Sequence, residues 1–173
     1  NLLIRMGNCM NDLNWPKESL DTYRRAQDIL SRPHWGPEVE LQLAVIRANL
    51  GRSHSELWQF SEALHSYQQA HDILDRSHLI SRKDLDIIRA RIATNTGVCL
   101  LHLGRLEEAL GSCLKAEAIL ADCGLVSDPE LDITRSGSAW NTGICLQKLG
   151  HETEALAAYR RGELLWGSKS DMA

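Results

Sequence analysis

The chain has 173 residues, with 19 basic and 23 acidic side chains, a formal net charge of −4 and 43% hydrophobic residues. That balance supplies no general basic field for phosphate backbones, so nucleic acid is excluded from the expected partners. No apolar run reaches the length that crosses a bilayer and no signal peptide is visible, so no membrane partner is expected either.

Helical signals begin at once. Residues 1–13 read as the tail of a first helix, and Asn14-Trp15-Pro16 makes a turn with Pro at the opening of the next helix. Residues 17–31 return. The breaker cluster at residues 32–37 separates this pair from a second, predicted at residues 38–57 and 59–76. A polar connection over residues 77–83 leads to Asp84, the expected cap of a long helix. Apolar or small residues then recur at Ile88, Ile92, Thr96, Cys99 and Leu103, the spacing of one helical face. Gly104-Arg105 breaks that pattern. Leu106, Ala109, Cys113, Ala116 and Leu120 restart it, which gives a third pair at residues 85–103 and 106–122. Cys123-Gly124 closes the pair, Asp128 and Pro129 open the next, and the fourth pair is predicted at residues 130–149 and 152–166. Residues 167–171 read as a frayed or linking tail. The chain begins at Asn1 without Met and lacks the front of its first helix, so a piece of a longer protein is expected.

These pairs are copies of one unit. Residues 95–120 are restated from Asn141 with a shift of 46, and Asn49-Leu50-Gly51 stands 46 residues before Asn95-Thr96-Gly97. A shift of 44 places Gly7 under Gly51 and Glu18-Ser19-Leu20 under Glu62-Ala63-Leu64. Four repeats follow, at about residues 1–35, 36–80, 81–126 and 127–168, expected to form a single array. Two helices joined by so short a turn lie antiparallel. One pair cannot bury both its faces, so pairs stack and share a core.

On these residues the chain resembles the tetratricopeptide repeat, whose unit of about 34 residues has three small places and one aromatic place. The first small place is Gly7, Gly51, Gly97 and Gly143; the second is Ser19, Ala63, Ala109 and Ala155; the third is Ala26, Ala70, Ala116 and Gly162. The aromatic place is Tyr23, Tyr67, Cys113 and Tyr159. The family's Trp near the start of the first helix is replaced by Arg47, Ala93 and Ala139, and the unit is longer than the family's. The longer unit resembles those of kinesin light chain and of bacterial peptide-sensing regulators. The resemblance implies an all-α, right-handed α–α solenoid of antiparallel helix hairpins.

No catalytic constellation emerges. HExxH, GxSxG and a phosphate-cradling glycine loop are all missing from the sequence. The seven histidines (His34, His54, His65, His71, His78, His102 and His151) scatter over loops and outward helical places, without the i, i+4 pair of a zinc site. Glu107-Glu108 and Arg24-Arg25 read as solvated faces. We therefore expect neither an enzyme nor a cofactor or metal. The five cysteines, Cys9, Cys99, Cys113, Cys123 and Cys145, form no CxxC pair and mostly fall on or beside apolar stripes. Buried free thiols act as small hydrophobes and fit a reducing, cytoplasmic compartment.

Binding is the expected function. The resemblance implies a concave groove lined by the first helix of each pair. It assigns Ile4, Arg5, Asn8, Asn11 and Asp12 in the first repeat, and Val45, Ala48, Asn49, Arg52, Ser55 and Glu56 in the second. The third gives Arg91, Thr94, Asn95, Val98, Leu101 and His102; the fourth gives Gly137, Trp140, Asn141, Ile144, Gln147 and Lys148. Asn49, Asn95 and Asn141 share one place, and an amide that both donates and accepts can pair with a peptide backbone whatever its sequence. The alternative use is a bond within the hairpin pair. Arg52, Arg91, Lys148 and His102 give the groove a basic lean, while Val98, Ile144 and Trp140 supply apolar contacts, Trp140 being a natural anchor. The expected partner is a protein or peptide, or another part of the parent chain. The alternative is the sensor segment of a multidomain signalling enzyme, such as a protease or nucleotide-dependent switch.

Overall fold

The structure, a computed structural model, describes residues 2–31, 38–76, 82–122 and 129–167. Among them run eight helices: α1 Leu2–Asp12, α2 Pro16–Leu30, α3 Glu38–Glu56, α4 Phe60–Arg76, α5 Arg82–His102, α6 Leu106–Asp122, α7 Pro129–Lys148 and α8 Glu152–Gly167. The described residues contain no strand. The helix ends fall within one or two residues of expectation except at α5. That helix starts at Arg82, so Asp84 lies inside its first turn and is not its cap. The breaker cluster, the polar connection up to residue 81, Asp128, Cys123-Gly124, His34, His78 and the tail beyond residue 167 lie outside the described residues.

The chain divides into two compact units, Asn1–Ser81 with α1 to α4 and Arg82–Ala173 with α5 to α8. Every hairpin turns in the same way. One residue takes a left-handed conformation at each corner: Asn14 (φ 60°), Trp58 (φ 61°), Gly104 (φ 73°) and Gly150 (φ 86°). The residue after it reaches back five places along the helix, as Trp15 N to Met10 O at 2.8 Å and Arg105 N to Leu100 O at 2.9 Å. This wrap satisfies carbonyls that a helix end leaves bare. The same residue's carbonyl then starts the return helix, Ala63 N donating to Gln59 O and Ala109 N to Arg105 O, both at 2.9 Å.

Within each hairpin the helices approach at the small places. A Cβ on Gly51 would lie 2.5 Å from the Tyr67 ring, and one on Gly143 would lie 2.6 Å from the Tyr159 ring. In the third hairpin the aromatic place is Cys113, whose Sγ would stand 2.6 Å from a Cβ on Gly97. Ala63, Ala109 and Ala155 are buried at the second small place.

In the first unit α3 seats on α1–α2: Ile46 and Leu50 join Leu20, Tyr23, Ala26 and Leu30 in one core, with Leu43 and Leu57 packed against it. Each large apolar side chain so enclosed contributes about 1.5–3 kcal/mol. Polar groups inside this joint bond to one another, Ser53 Oγ to Ser19 Oγ at 2.7 Å and to Asn11 Oδ1 at 3.0 Å. In the second unit α7 seats on α5–α6 around Ala90, Leu120 and Leu131. Here Ser138 donates to Cys113 O (2.9 Å), Thr142 to Glu117 Oε1 (2.6 Å) and Arg135 to Leu120 O (3.2 Å).

Candidate peptide-binding surface

The residues assigned to the groove divide between the units. In the first, Asn49 is half-buried and its Nδ2 donates to Asn8 Oδ1 at 2.9 Å, an oxygen that also accepts from Tyr23 Oη at 2.7 Å. Asn8 thus joins α3 to α1–α2. Arg52 is exposed and held between two carboxylates, Glu56 at 2.9 Å and Asp12 at 3.6 Å. An arginine so neutralised offers a ligand little net charge.

In the second unit α5 carries Arg91, Asn95, Val98 and His102, and α7 carries Trp140, Asn141, Ile144 and Lys148. Arg91, Asn95, Val98, Asn141 and Ile144 are half-buried; His102, Trp140 and Lys148 are exposed. No side-chain hydrogen bond to Asn95 or Asn141 occurs among the described residues. A half-buried amide left without a partner retains most of its hydrogen-bonding capacity for a ligand. Three other assigned places face inward, among them Asn11, which is buried and accepts from Ser53. Ala48 and Thr94 are buried as well, and the Thr94 hydroxyl closes back on Ala90 O at 3.0 Å.

Trp140 is 52% exposed and leans on Tyr159, ring centroids 4.9 Å apart. Together with Ile133, Asn141 and, from α8, Glu163 and Trp166, they wall a cavity of about 700 Å³. The α8 contribution was not part of the expected groove. Its sequence signal is the change from Leu30, Leu74 and Leu120 to Trp166 at one repeat place.

The cysteines on the inner stripes, Cys99, Cys113 and Cys145, are buried and form no disulfide, whereas Cys9 is exposed. A hydrogen bond with Cys145 and burial both push the Cys113 thiol above its ordinary range; the same bond lowers Cys145. A buried thiol held protonated is a packing group, not a nucleophile. No cluster of three or more metal-ligating side chains occurs among the described residues, and no described helix is long and apolar enough to cross a membrane.

No family model matches the chain, and no curated protein matches it. Among solved structures, the apo form of RapI superposes with a TM-score of 0.78 at 15% identity, over 98% of this chain and 56% of RapI's. The chain thus spans little more than half of that protein's length. A putative kinesin light chain of Podosopora anserina with nearly identical TPR-like repeats matches at 12% identity and TM-score 0.45, over 98% of this chain and 95% of its own. YrrB, a TPR protein with an unusual peptide-binding site, matches at 14% identity and TM-score 0.36, over 97% and 87%.

The chain has a tetratricopeptide-repeat-like fold. It is an all-α solenoid of helix hairpins, and the RapI superposition carries that statement. In the TPR-like hairpins the small places bear on the partner helix, as at Gly51 and Gly143. Identities this low speak for the fold alone.

Proposed function

We propose that the chain is a protein-interaction module that takes an extended peptide segment across the first helices of its second unit, α5 and α7. The observation that carries this reading is the pair Asn95 and Asn141, half-buried amides at one repeat place, with no side-chain hydrogen bond among the described residues. Such a pair can donate to and accept from a peptide backbone without reading its side chains. Beside it Trp140 offers an aromatic anchor, Val98 and Ile144 an apolar floor, and Lys148 a cation at the rim. Aromatic anchors of this kind hold, while rim charges steer. Asn49 and Arg52, at the like places of the first unit, are already engaged inside that unit. The module performs no chemistry of its own. The buried free thiols Cys99, Cys113 and Cys145 support a reducing, cytoplasmic setting.

The test is a peptide array probed with the purified chain, followed by affinity measurement on the best binder. Asn95→Ala with Asn141→Ala is expected to keep wild-type helicity and melting temperature while losing at least tenfold in affinity, about 1.4 kcal/mol. Binding at wild-type strength by that variant removes the reading.

A further inference from the structure

Each unit carries a groove between its two second helices, with the later first helix as the floor. In the second unit it lies between α6 and α8 over α7, a cavity of about 170 Å³ whose wall includes Glu117, Ala139 and Arg161. Its charges are matched within the chain. Glu117 accepts from Arg161 at 3.2 Å and from Thr142 at 2.6 Å.

In the first unit the groove lies between α2 and α4 over α3, holds about 570 Å³ and is walled in part by Gln27, Arg47 and Gln69. These three stand at the repeat places of Glu117, Ala139 and Arg161. The cation has moved from the wall to the floor, and a neutral amide stands where the matching carboxylate was. Arg47 is half-buried, and among the described residues its side chain forms no ion pair and no hydrogen bond. Burial lowers its pKa from the ordinary value, yet a guanidinium keeps its charge at neutral pH. A charge drawn part-way out of water without a partner is costly, and an anion relieves that cost. Exposed Arg24, 3.7 Å from Asp21, adds a second cation to the lining. The lining includes one carboxylate, Glu62, which is exposed and has no ion pair among the described residues.

We propose that the groove of the first unit binds a small dicarboxylic acid, with one carboxylate on Arg47 and the other toward Arg24. The first carboxylate takes the role that Glu117 plays toward Arg161 in the second unit, which is the reason for choosing that group over other anions. A planar guanidinium receives a carboxylate through two parallel hydrogen bonds, a geometry that a point charge does not offer. The size agrees, since sites for small ligands hold several hundred Å³. His54, Ser61 and His65 add polar groups to the lining for the remainder of the acid. None of the lining residues belongs to the candidate peptide-binding surface.

The inference goes beyond the peptide reading and is tested with malate, a dicarboxylate that also carries a hydroxyl. Calorimetric titration of the purified chain is expected to show a single site, and malate should raise the melting temperature. Arg47→Ala installs the side chain that Ala93 and Ala139 carry at the like places, so the fold should hold while affinity falls at least tenfold. Gln27→Glu returns to the groove the carboxylate of the second unit and should weaken malate by a similar factor, with helicity unchanged by circular dichroism. The uncharged dimethyl ester should not bind. Asn95→Ala with Asn141→Ala should take malate as the wild type does, so the two readings fail separately. Three results would each overturn the inference. The first is a wild type that shows neither heat nor a melting shift up to about 10 mM malate. The second is an Arg47→Ala chain that binds at wild-type strength. The third is inorganic phosphate held more tightly than malate, which would make the site one for a different anion.

Discussion

In the first unit the amides and hydroxyls at the joint of α3 with α1–α2 bond to one another, whereas in the second the joint uses main-chain carbonyls and the Glu117 carboxylate and leaves the Asn141 amide open. Asn8 is the pivot of the difference. It accepts from both Asn49 and Tyr23, but the repeat place it occupies is taken by Val98 in α5, which cannot accept. Asn141 on α7 is therefore left with its amide unpaired, although it stands at the same place as Asn49. Likewise Ser53, a hydroxyl that must be satisfied when buried, has Ser19 and Asn11. Its counterparts are Cys99 and Cys145, thiols that tolerate burial with weaker partners. One repeat scaffold thus makes a joint whose amides engage one another and a joint with an amide to spare, and the change lies in single side chains.

Substitutions can break or sharpen that contrast. Leu30→Ala and Leu120→Ala remove the same side chain from the same place in the two cores, and each should cost about 2–5 kcal/mol. Hydrogen exchange should show the loss concentrated in the unit that carries the change; an equal loss in both units would mean that they do not unfold separately. Ser53→Ala comes next. It strands Asn11 Oδ1 in a buried joint, while Ser19 keeps its bond to Pro16 O, and a denaturant titration should register a loss of about 1–3 kcal/mol.

Asn49→Ala should cost about 0.5–1.5 kcal/mol, the worth of its bond to Asn8. Asn141→Ala should leave the melting temperature where it was. Equal effects at the two positions would erase the difference between the units. The smallest expected change is a gain. Trp58 holds a left-handed corner where the second unit uses Gly104 and Gly150. A side chain there costs roughly 1–2 kcal/mol, against which glycine loses more chain entropy on folding. Trp58→Gly also gives up the edge contact with Phe60, ring centroids 5.8 Å apart. The net is expected to be a stabilisation of a few tenths to about 1 kcal/mol in thermal melts.

Repetition made most of the fold legible. The shifts of 44 and 46 placed every hairpin, and the glycine opposite each aromatic or Cys113 fixed which faces meet, because only a missing Cβ admits the neighbouring ring or sulfur. The candidate surface was legible in part. The repeat place of Asn49, Asn95 and Asn141 could be read from the sequence, but whether each amide was free could not. That depended on the residue standing opposite on another helix, Asn8 in one unit and Val98 in the other.

The sequence by itself determined the all-α class, the four hairpins, their turns and the small places, since these follow from period and from sterics within a few residues of one another. The tertiary structure alone decided the rest: that Trp58 takes the corner glycine fills elsewhere, that Arg52 is neutralised by Asp12 and Glu56, and that Trp166 walls a cavity with Trp140 where its counterpart Leu120 is buried. Each of these depends on which helix stands opposite. A side chain's own place in the repeat fixes its direction, and its partner is fixed by residues some forty positions away.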